Sequence, residues 1–373
     1  MSDLFLRVKP TLYAQLLLRP RFSATRQASS DVYEGRVKAI GPDGWVPHAN
    51  LVIRSGSKTT VLTPRKPTKM DIQPGALLDS EGNLVYTKMD NHDTRITKIM
   101  SLVKTPSKTG QLMLLEGLRL IREALEARCQ MEYLLFSRLK EVSTLKPFLP
   151  SKGRLYKMPY REMQVWSDLT TTPGVMGIFQ IPLPGWVEAR HPLPITVICD
   201  NVREPGNVGA ILRTCSGVGC YQVILTKGCA HLWESKVLRS ACGAHFRVKT
   251  TPNLQWEKIA EQLPPGAHVF IADNNSVSAT SGGVKSVREL AANIPVLSYS
   301  AVNFKGAGHV VLVIGGETEG VSAEAYNLAS RFNGARINVP LSNGVDSLNS
   351  GTALGVVAFE VKRQLTKQRL CLM

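Results

Sequence analysis

Three short segments in the C-terminal half carry more Asn, Gly, Ser, Arg and Glu than plain connections need. The first is Asp200-Asn201-Val202-Arg203-Glu204-Pro205-Gly206-Asn207-Val208-Gly209-Ala210-Ile211-Leu212-Arg213-Thr214, which leads from an apolar stretch into a helical pattern. A strand-to-helix junction presents the unpaired N–H groups of the helix N-terminus, which suit a phosphate or another anion. Asn207 could cap that helix, and Arg213 follows with a rigid planar guanidinium. A capped helix with a surface arginine would read the same way. The second segment, Gly315-Gly316-Glu317-Thr318-Glu319-Gly320-Val321-Ser322, directly follows the apolar run Val310 to Ile314. Glycines at the carboxyl end of a strand let a ligand approach the backbone closely. The segment is neither a G-x-G-x-x-G nor a Walker loop, so nothing points to NAD or ATP. A tight turn with solvated acids is the plain alternative. The third, Asn338-Val339-Pro340-Leu341-Ser342-Asn343-Gly344-Val345-Asp346-Ser347-Leu348-Asn349-Ser350, is mostly polar, yet it lies between an apolar strand and an apolar helix. Ser347 and Asn349 could cap that helix or touch a ligand. One such segment is weak; three, each after a strand, are strong.

The elements that must position these segments alternate. Ile195 to Cys199, Gln222 to Thr226, Val269 to Ala272 and Val310 to Ile314 have the compact apolar runs of buried strands. Val208 to Gly217 reads as a helix, and a long one closes the chain from about Ser350 to Lys367. Strands separated by helices predict an α/β domain whose parallel sheet is covered on both faces, over residues 192–369. Upstream, Leu112 to Glu116, Met131 to Phe136 and Val175 to Ile181 read as strands. A helix follows the first of these, with Leu118, Ile121 and Leu125 at three- and four-residue spacing. This makes a small α/β domain over 91–185. Pro182 to Pro194 holds four prolines and reads as the link between the two.

Residues 41–90, rich in Pro, Gly, Asp and Lys, read as a poorly structured linker that could hold short strands of unassigned pairing. Residues 1–40 read as a mitochondrial transit peptide. Leu4 to Ser30 contains no acid and carries Arg7, Lys9, Arg19, Arg21 and Arg26 among Leu-rich turns. A basic tail without a targeting role is the alternative.

The chain has 373 residues, 43% hydrophobic and 20% charged, which excludes a wholly disordered or collagen-like protein. No stretch approaches the roughly 18 apolar residues of a membrane-spanning helix, so no membrane insertion is expected. The net charge of +16 favours a polyanionic partner, because each Lys or Arg set against a phosphate releases a counterion. Seven cysteines without a C-x-x-C pair predict reduced thiols, and scattered histidines predict no metal site.

The three segments resemble motifs 1, 2 and 3 of the SpoU (TrmH-like) branch of the SPOUT RNA methyltransferases. The first is similar to Asn-Val-Arg-x-Pro-x-Asn-x-Gly-x-Ile-x-Arg-Thr, the second to Gly-x-Glu-x-x-Gly, and the third to a proline followed by Ser-Leu-Asn. They occur in order over the last 180 or so residues. Leu115-Glu116-Gly117 and the helix after it resemble the family's ribosomal-protein-like substrate-recognition domain. The resemblance implies a trefoil-knotted methyltransferase domain, a homodimer, and S-adenosylmethionine held bent in the knot. It implies that Gly315, Val339 and Leu348 supply backbone contacts to that cofactor, with Gly316 lining the same loop. Asn207, Arg213, Glu317, Ser347 and Asn349 match catalytic or near-catalytic positions, with Glu317 and Asn349 placing Arg213 and the ribose. A structural role for Glu317 is equally open.

The implied reaction is 2′-O-methylation of a guanosine in mitochondrial large-subunit rRNA, in the matrix and in support of mitoribosome assembly. A mitochondrial tRNA methyltransferase, or an RNA-binding assembly factor with dispensable catalysis, is the alternative. Two departures stand out. Gly-Gly-Glu replaces the common Gly-Ser-Glu, and the chain is longer than compact members between Asn274 and Gly308, where Ser276 to Lys285 reads as a mobile surface loop. Arg239-Ser240-Ala241-Cys242-Gly243-Ala244 also fits the family and reads as helix packing.

Overall fold

The computed structural model describes residues 51–55, 58–62, 74–104, 112–183, 187, 191–273, 284–317 and 320–371. The chain divides into two compact units, residues 1–71 and 72–373. In the first unit, β1 (Leu51–Ser55) and β2 (Lys58–Leu62) form an antiparallel pair. The expected transit peptide, residues 1–40, lies outside the described residues.

The second unit begins with β3 (Gly75–Ala76), β4 (Thr87–Lys88), α1 (Thr94–Lys104), β5 (Leu112–Glu116), α2 (Leu118–Glu126) and β6 (Met131–Phe136). There follow α3 (Leu139–Ser143), β7 (Lys152–Gly153), β8 (Leu155–Lys157), α4 (Tyr160–Trp166) and β9 (Val175–Gln180). Five strands form a mixed sheet in the order β4-β8-β6-β9-β5. Alternation along β6 and β9 sends Leu134, Phe136, Val175 and Phe179 to the face covered by α2. Tyr133, Leu135, Met176 and Ile178 go to the face covered by α1 and α4. The reading of 41–90 as linker fails for its last part. Leu77, Leu84 and Met89 are buried, and β3 and β4 pair with β7 and β8. Two-residue strands are too short to show a hydrophobic period.

The rest of the unit contains β10 (Leu193–Asp200), α5 (Pro205–Val218), β11 (Cys220–Thr226), α6 (Ser235–Ala241), β12 (Lys249–Leu254), α7 (Trp256–Ile259), β13 (Ala267–Ala272) and α8 (Val284–Ala292). It ends with β14 (Val296–Ser298), β15 (His309–Gly315), α9 (Ala323–Arg331), β16 (Ala335–Asn338) and α10 (Ser350–Cys371). Seven strands pair in the order β12-β11-β10-β15-β13-β16-β14, all parallel. Both faces are covered, as the apolar strand runs predict. Val197, Cys199, Leu312 and Ile314 pack with Ile211 and Leu212 of α5 and Leu354 and Val357 of α10. Ile198, Ile271, Val311 and Val313 pack with Ala325, Tyr326 and Leu328 of α9.

Three strands escape the pattern. β12 carries Pro252 at a sheet edge, β14 is an exposed edge, and β16 has only four residues. Of the stretch read as a mobile loop, residues 276–283 lie outside the described ones. The chain beyond them forms α8 and β14. Among the described residues, no helix is long and apolar enough to cross a membrane.

The two parts of the second unit meet at α6 and the turn after it. Leu238 and Phe246 are buried in the same cluster as Leu115, Leu120 and Ile121 of the small domain. Cys242 and Gly243 both take left-handed backbone angles, φ 48° and 82°. A Cβ on Gly243 would overlap the Glu123 carboxylate of α2, whose Oε2 lies 2.8 Å from Arg247 Nη2. Only glycine fits there on both counts. Next to this turn His245 is buried, with Nε2 2.7 Å from the Leu232 carbonyl, and burial pushes its pKa down to about 4.

Gly243→Ala should cost about 1–3 kcal/mol, read as a lowered Tm. Adding Glu123→Ala should cost less than the sum of the two single changes, because it removes the group the new methyl meets. His245 is harder to protonate folded than unfolded. Its contribution to stability is therefore complete above its ordinary pKa of about 6.5 and is lost as pH falls toward 4. His245→Gln, which keeps a donor for the Leu232 carbonyl, should flatten this dependence in unfolding measured between pH 7 and pH 4.

Candidate active site

Parallel register gathers the three polar segments. Asp200, the last residue of β10, stands opposite Gly315, the last residue of β15. Ile314 is opposite Ala272, Ala272 opposite Ile337, and Asn338 opposite Ser298. Each segment therefore leaves the same carboxyl edge of the sheet, where open α/β sheets place their ligands.

Pro205 occupies the first turn of α5, where its missing N–H costs nothing. The helix thus starts ahead of Asn207, which does not serve as its cap; Glu204 holds that position and makes no side-chain cap bond. Instead the buried Asn207 donates from Nδ2 to Glu317 Oε1 at 2.7 Å. Its Oδ1 accepts from Asn349 Nδ2 at 2.8 Å, and the same Nδ2 lies 3.0 Å from Glu317 Oε1. Asn349 does cap its helix, as expected: Oδ1 accepts from Gly351 N (3.0 Å) and Thr352 N (3.3 Å) at the start of α10. One residue from each segment thus enters a single hydrogen-bonded group. Glu317 is exposed, which leaves this carboxylate open to a ligand.

Two expected members stand apart. Arg213 is exposed, and among the described residues no hydrogen bond or ion pair joins it to the cluster. The expectation that Glu317 and Asn349 position Arg213 is not met within the chain. Six residues of helix separate Asn207 from Arg213, about 9 Å along the axis and roughly two-thirds of a turn around it beyond one full turn. Ser347 is exposed as well, and the capping role falls to Asn349 because α10 begins at Ser350.

The residues implied for the cofactor lie on two loops of this edge. A Cβ on Gly316 would come within 2.6 Å of the Asn201 carbonyl oxygen, and one on Gly315 would overlap the Gly320 carbonyl. Only glycines allow the first and second segments this approach. Val339 and Leu348 are half-buried. Among the described residues, the one backbone hydrogen bond that starts and ends within 339–348 joins Val345 N to Ser342 O at 3.3 Å. The other N–H and C=O groups of that loop remain for a ligand or water. Half-buried apolar side chains beside a glycine cradle and unpaired backbone groups suit an adenosyl group better than a polyphosphate.

Two buried polar groups were not picked out from the sequence. Asp200 is 2% exposed, and its Oδ2 accepts from Ser322 N at 2.7 Å. Burial pushes its pKa above the usual carboxylate range, and the hydrogen bonds from Ser322 work against that shift. Asp273 Oδ2 accepts from Tyr326 Oη (3.0 Å) and Arg336 Nε (2.8 Å). An acid closing an apolar strand run was the available signal for both. Burial also raises the pKa of the Cys199, Cys215 and Cys229 thiols, so these serve as packing groups. The Arg239–Ala244 stretch packs helices as expected: Ser240 Oγ donates to the Gly206 carbonyl at 2.7 Å, and a Cβ on Gly209 would come within 2.7 Å of the Val237 carbonyl.

This parallel sheet with three polar segments at one edge is an α/β SPOUT methyltransferase fold. It matches the AdoMet-bound rRNA methyltransferase of Sinorhizobium meliloti with a TM-score of 0.58, at 21% identity over 75% of this chain and 98% of that one. The SpoU rRNA Methylase family model matches residues 194–359. The mitochondrial rRNA methyltransferase 3 of Mus musculus is 39% identical over 319 residues, 76% of each protein. A 23S rRNA (guanosine-2′-O-)-methyltransferase, RlmB of Salmonella typhi, is 26% identical over 178 residues, 48% of this chain and 63% of the relative. The chain belongs to the SpoU rRNA methylase family.

Asn349→Ala should cost about 1–2 kcal/mol in urea unfolding, from the lost cap and the freed partners. Asn349→Asp keeps the cap but sets a second carboxylate against Glu317. Its deficit relative to the unsubstituted protein should be larger at low salt than at high salt, where screening weakens the repulsion.

Proposed function

We propose that the chain is an S-adenosylmethionine-dependent RNA ribose 2′-O-methyltransferase acting on a guanosine of mitochondrial large-subunit rRNA. The observation that carries this reading is the joining of Asn207, Glu317 and Asn349, one from each segment, beside the Gly315-Gly316 cradle. The rRNA substrate follows the mitochondrial relative's name, and the guanosine 2′-O target follows the resemblance and the name of the bacterial relative. The matrix location follows that mitochondrial name and the segment read as a leader over 1–40, which is acid-free and arginine-bearing from Leu4 to Ser30. The net charge of +16 suits an RNA partner, and the small domain over 91–185 is the candidate for holding it.

Bound S-adenosylmethionine supplies an electrophilic methyl group on a sulfonium. Gly315, Gly316, Val339 and Leu348 would hold it from the backbone, in a segment that the family resemblance makes part of a trefoil knot. A ribose 2′-OH is a poor nucleophile and must lose its proton as it attacks. A guanidinium has five donors and no acceptor, so Arg213 serves as a cation rather than a base. It grips the RNA phosphate and stabilises the developing alkoxide, while the proton leaves through that phosphate or water. Asn207, Glu317 and Asn349 orient the ribose, and Ser347 lies on the same loop. Since Arg213 stands clear of this cluster on an exposed face of α5, it is free to meet the phosphate at the site of a second copy. A homodimer accounts for that separation.

The test uses radiolabelled S-adenosylmethionine with mitochondrial large-subunit rRNA, mitochondrial tRNA and pre-ribosomal particles, followed by alkaline hydrolysis. Label is expected in alkali-resistant dinucleotides from the rRNA, and Arg213→Ala should lower it on the order of 100-fold. Near-full turnover by Arg213→Lys would overturn the role given to the guanidinium. Label confined to tRNA would move the substrate, activity on particles alone would make the assembly intermediate the substrate, and silence on all three would favour an assembly factor.

A further inference from the structure

The chemistry above gives no role to the buried Asp200. Burying a carboxylate costs several kcal/mol after relaxation unless donors converge on it. Asp200 is buried at the carboxyl end of β10, on the sheet face that packs against α9. Its two polar groups go to opposite ends of the same loop. The Asp200 carbonyl accepts from Gly316 N at 3.0 Å, where the loop leaves β15. Oδ2 accepts from Ser322 N at 2.7 Å, where the loop enters α9. Between these anchors the loop closes on itself, with Gly320 N donating to Gly316 O at 3.1 Å.

The far anchor is itself fixed. Ser322 caps α9 by accepting from Ala325 N at 3.4 Å. One turn on, Tyr326 Oη donates to Asp273 Oδ2 at 3.0 Å, and Arg336 Nε holds the same oxygen at 2.8 Å. Carboxylates at the ends of β10 and β13 thus hold α9 at two points. An apolar side chain in place of Asp200 would take the acceptor from the Ser322 N–H. The loop that Asp200 holds carries Gly315, Gly316 and Glu317.

We propose that Asp200 is a positioning residue for the cofactor-binding loop: through Gly316 and Ser322 it holds Gly315, Gly316 and Glu317 where they receive S-adenosylmethionine and where Glu317 meets Asn207 and Asn349. It touches neither methyl donor nor ribose. The inference rests on the reading of Gly315 and Gly316 as cofactor contacts.

Three full-length variants test it, by calorimetric titration with S-adenosylmethionine, thermal unfolding and amide hydrogen exchange. Asp200→Ala should raise the Kd about tenfold or more. Exchange at Gly316, Gly320 and Ser322 should accelerate. Asp200→Asn keeps an acceptor for Ser322 N and should recover most of the affinity. Ile198→Ala removes buried carbon from the same strand and face, and should lower Tm while leaving Kd and loop exchange unchanged. Wild-type affinity and exchange in Asp200→Ala would overturn the proposal. So would a Kd shift of equal size in Ile198→Ala, or an Asn variant no better than Ala. Loop exchange needs no ligand, so it decides this question even if the wild-type protein binds no S-adenosylmethionine. That outcome would overturn the cofactor reading instead.

Discussion

The parallel pairing of β10 with β15 is the constraint on which the site depends. Residues 200 and 315 are far apart in the chain, yet the ladder sets Asp200 opposite Gly315 and so brings two loops within hydrogen-bonding reach. Parallel strands need long crossovers, and the helices that make them cover both faces of the sheet. With β13 and β16 in the same orientation beyond β15, the third polar segment has to emerge at the same edge. The cluster of Asn207, Glu317 and Asn349 is a consequence of that register. A one-residue slip in any of these ladders would turn every buried strand residue to the wrong face.

Close backbone approach does the remaining work of assembly. Gly209 lets α6 come near enough for Ser240 to reach the Gly206 carbonyl, just inside the start of α5. α5 carries Asn207 into the cluster and Arg213 to its own exposed face, so the placement of one helix governs both. The cost of the cluster's polarity is offset by mutual satisfaction. Asn349 donates to Asn207, both amides donate to Glu317, and the Asn349 acceptor caps α10. Such a group favours a single arrangement of the three loops, since a partial one would leave the buried Asn207 amide unpaired.

The same α6 that braces α5 also reaches the small domain, where Leu238 and Phe246 complete a core of mostly small-domain residues. An element shared in this way ties the two domains by burial as well as by the peptide link. Glu123, Gly243 and Arg247 add a polar contact whose geometry tolerates no Cβ at the glycine. The orientation of the small domain against α6 is therefore set by packed side chains.

Much of this was legible in the chain alone. The apolar runs of β10, β11, β13 and β15, the alternation with helices, and the three polar segments followed from composition and period, because a strand buried on both faces cannot hide its pattern. β12, β14 and β16 were not legible, since short or half-exposed edge strands draw their stability from neighbours. The placement of β3 and β4 was hidden for the same reason. Local rules identified Asn349 as a cap, because capping depends on residues one or two positions away. They misjudged Asn207, whose partners lie 110 and 142 residues distant. They also could not show that Arg213 stands outside the cluster, or that Asp200 ties down both ends of the glycine loop. The sequence by itself determined which residues are fit for chemistry and which elements carry them, since these depend on side-chain type and nearby spacing. Only the tertiary structure decided which of those residues meet, because meeting depends on strand order and register, and those are set by contacts between distant parts of the chain.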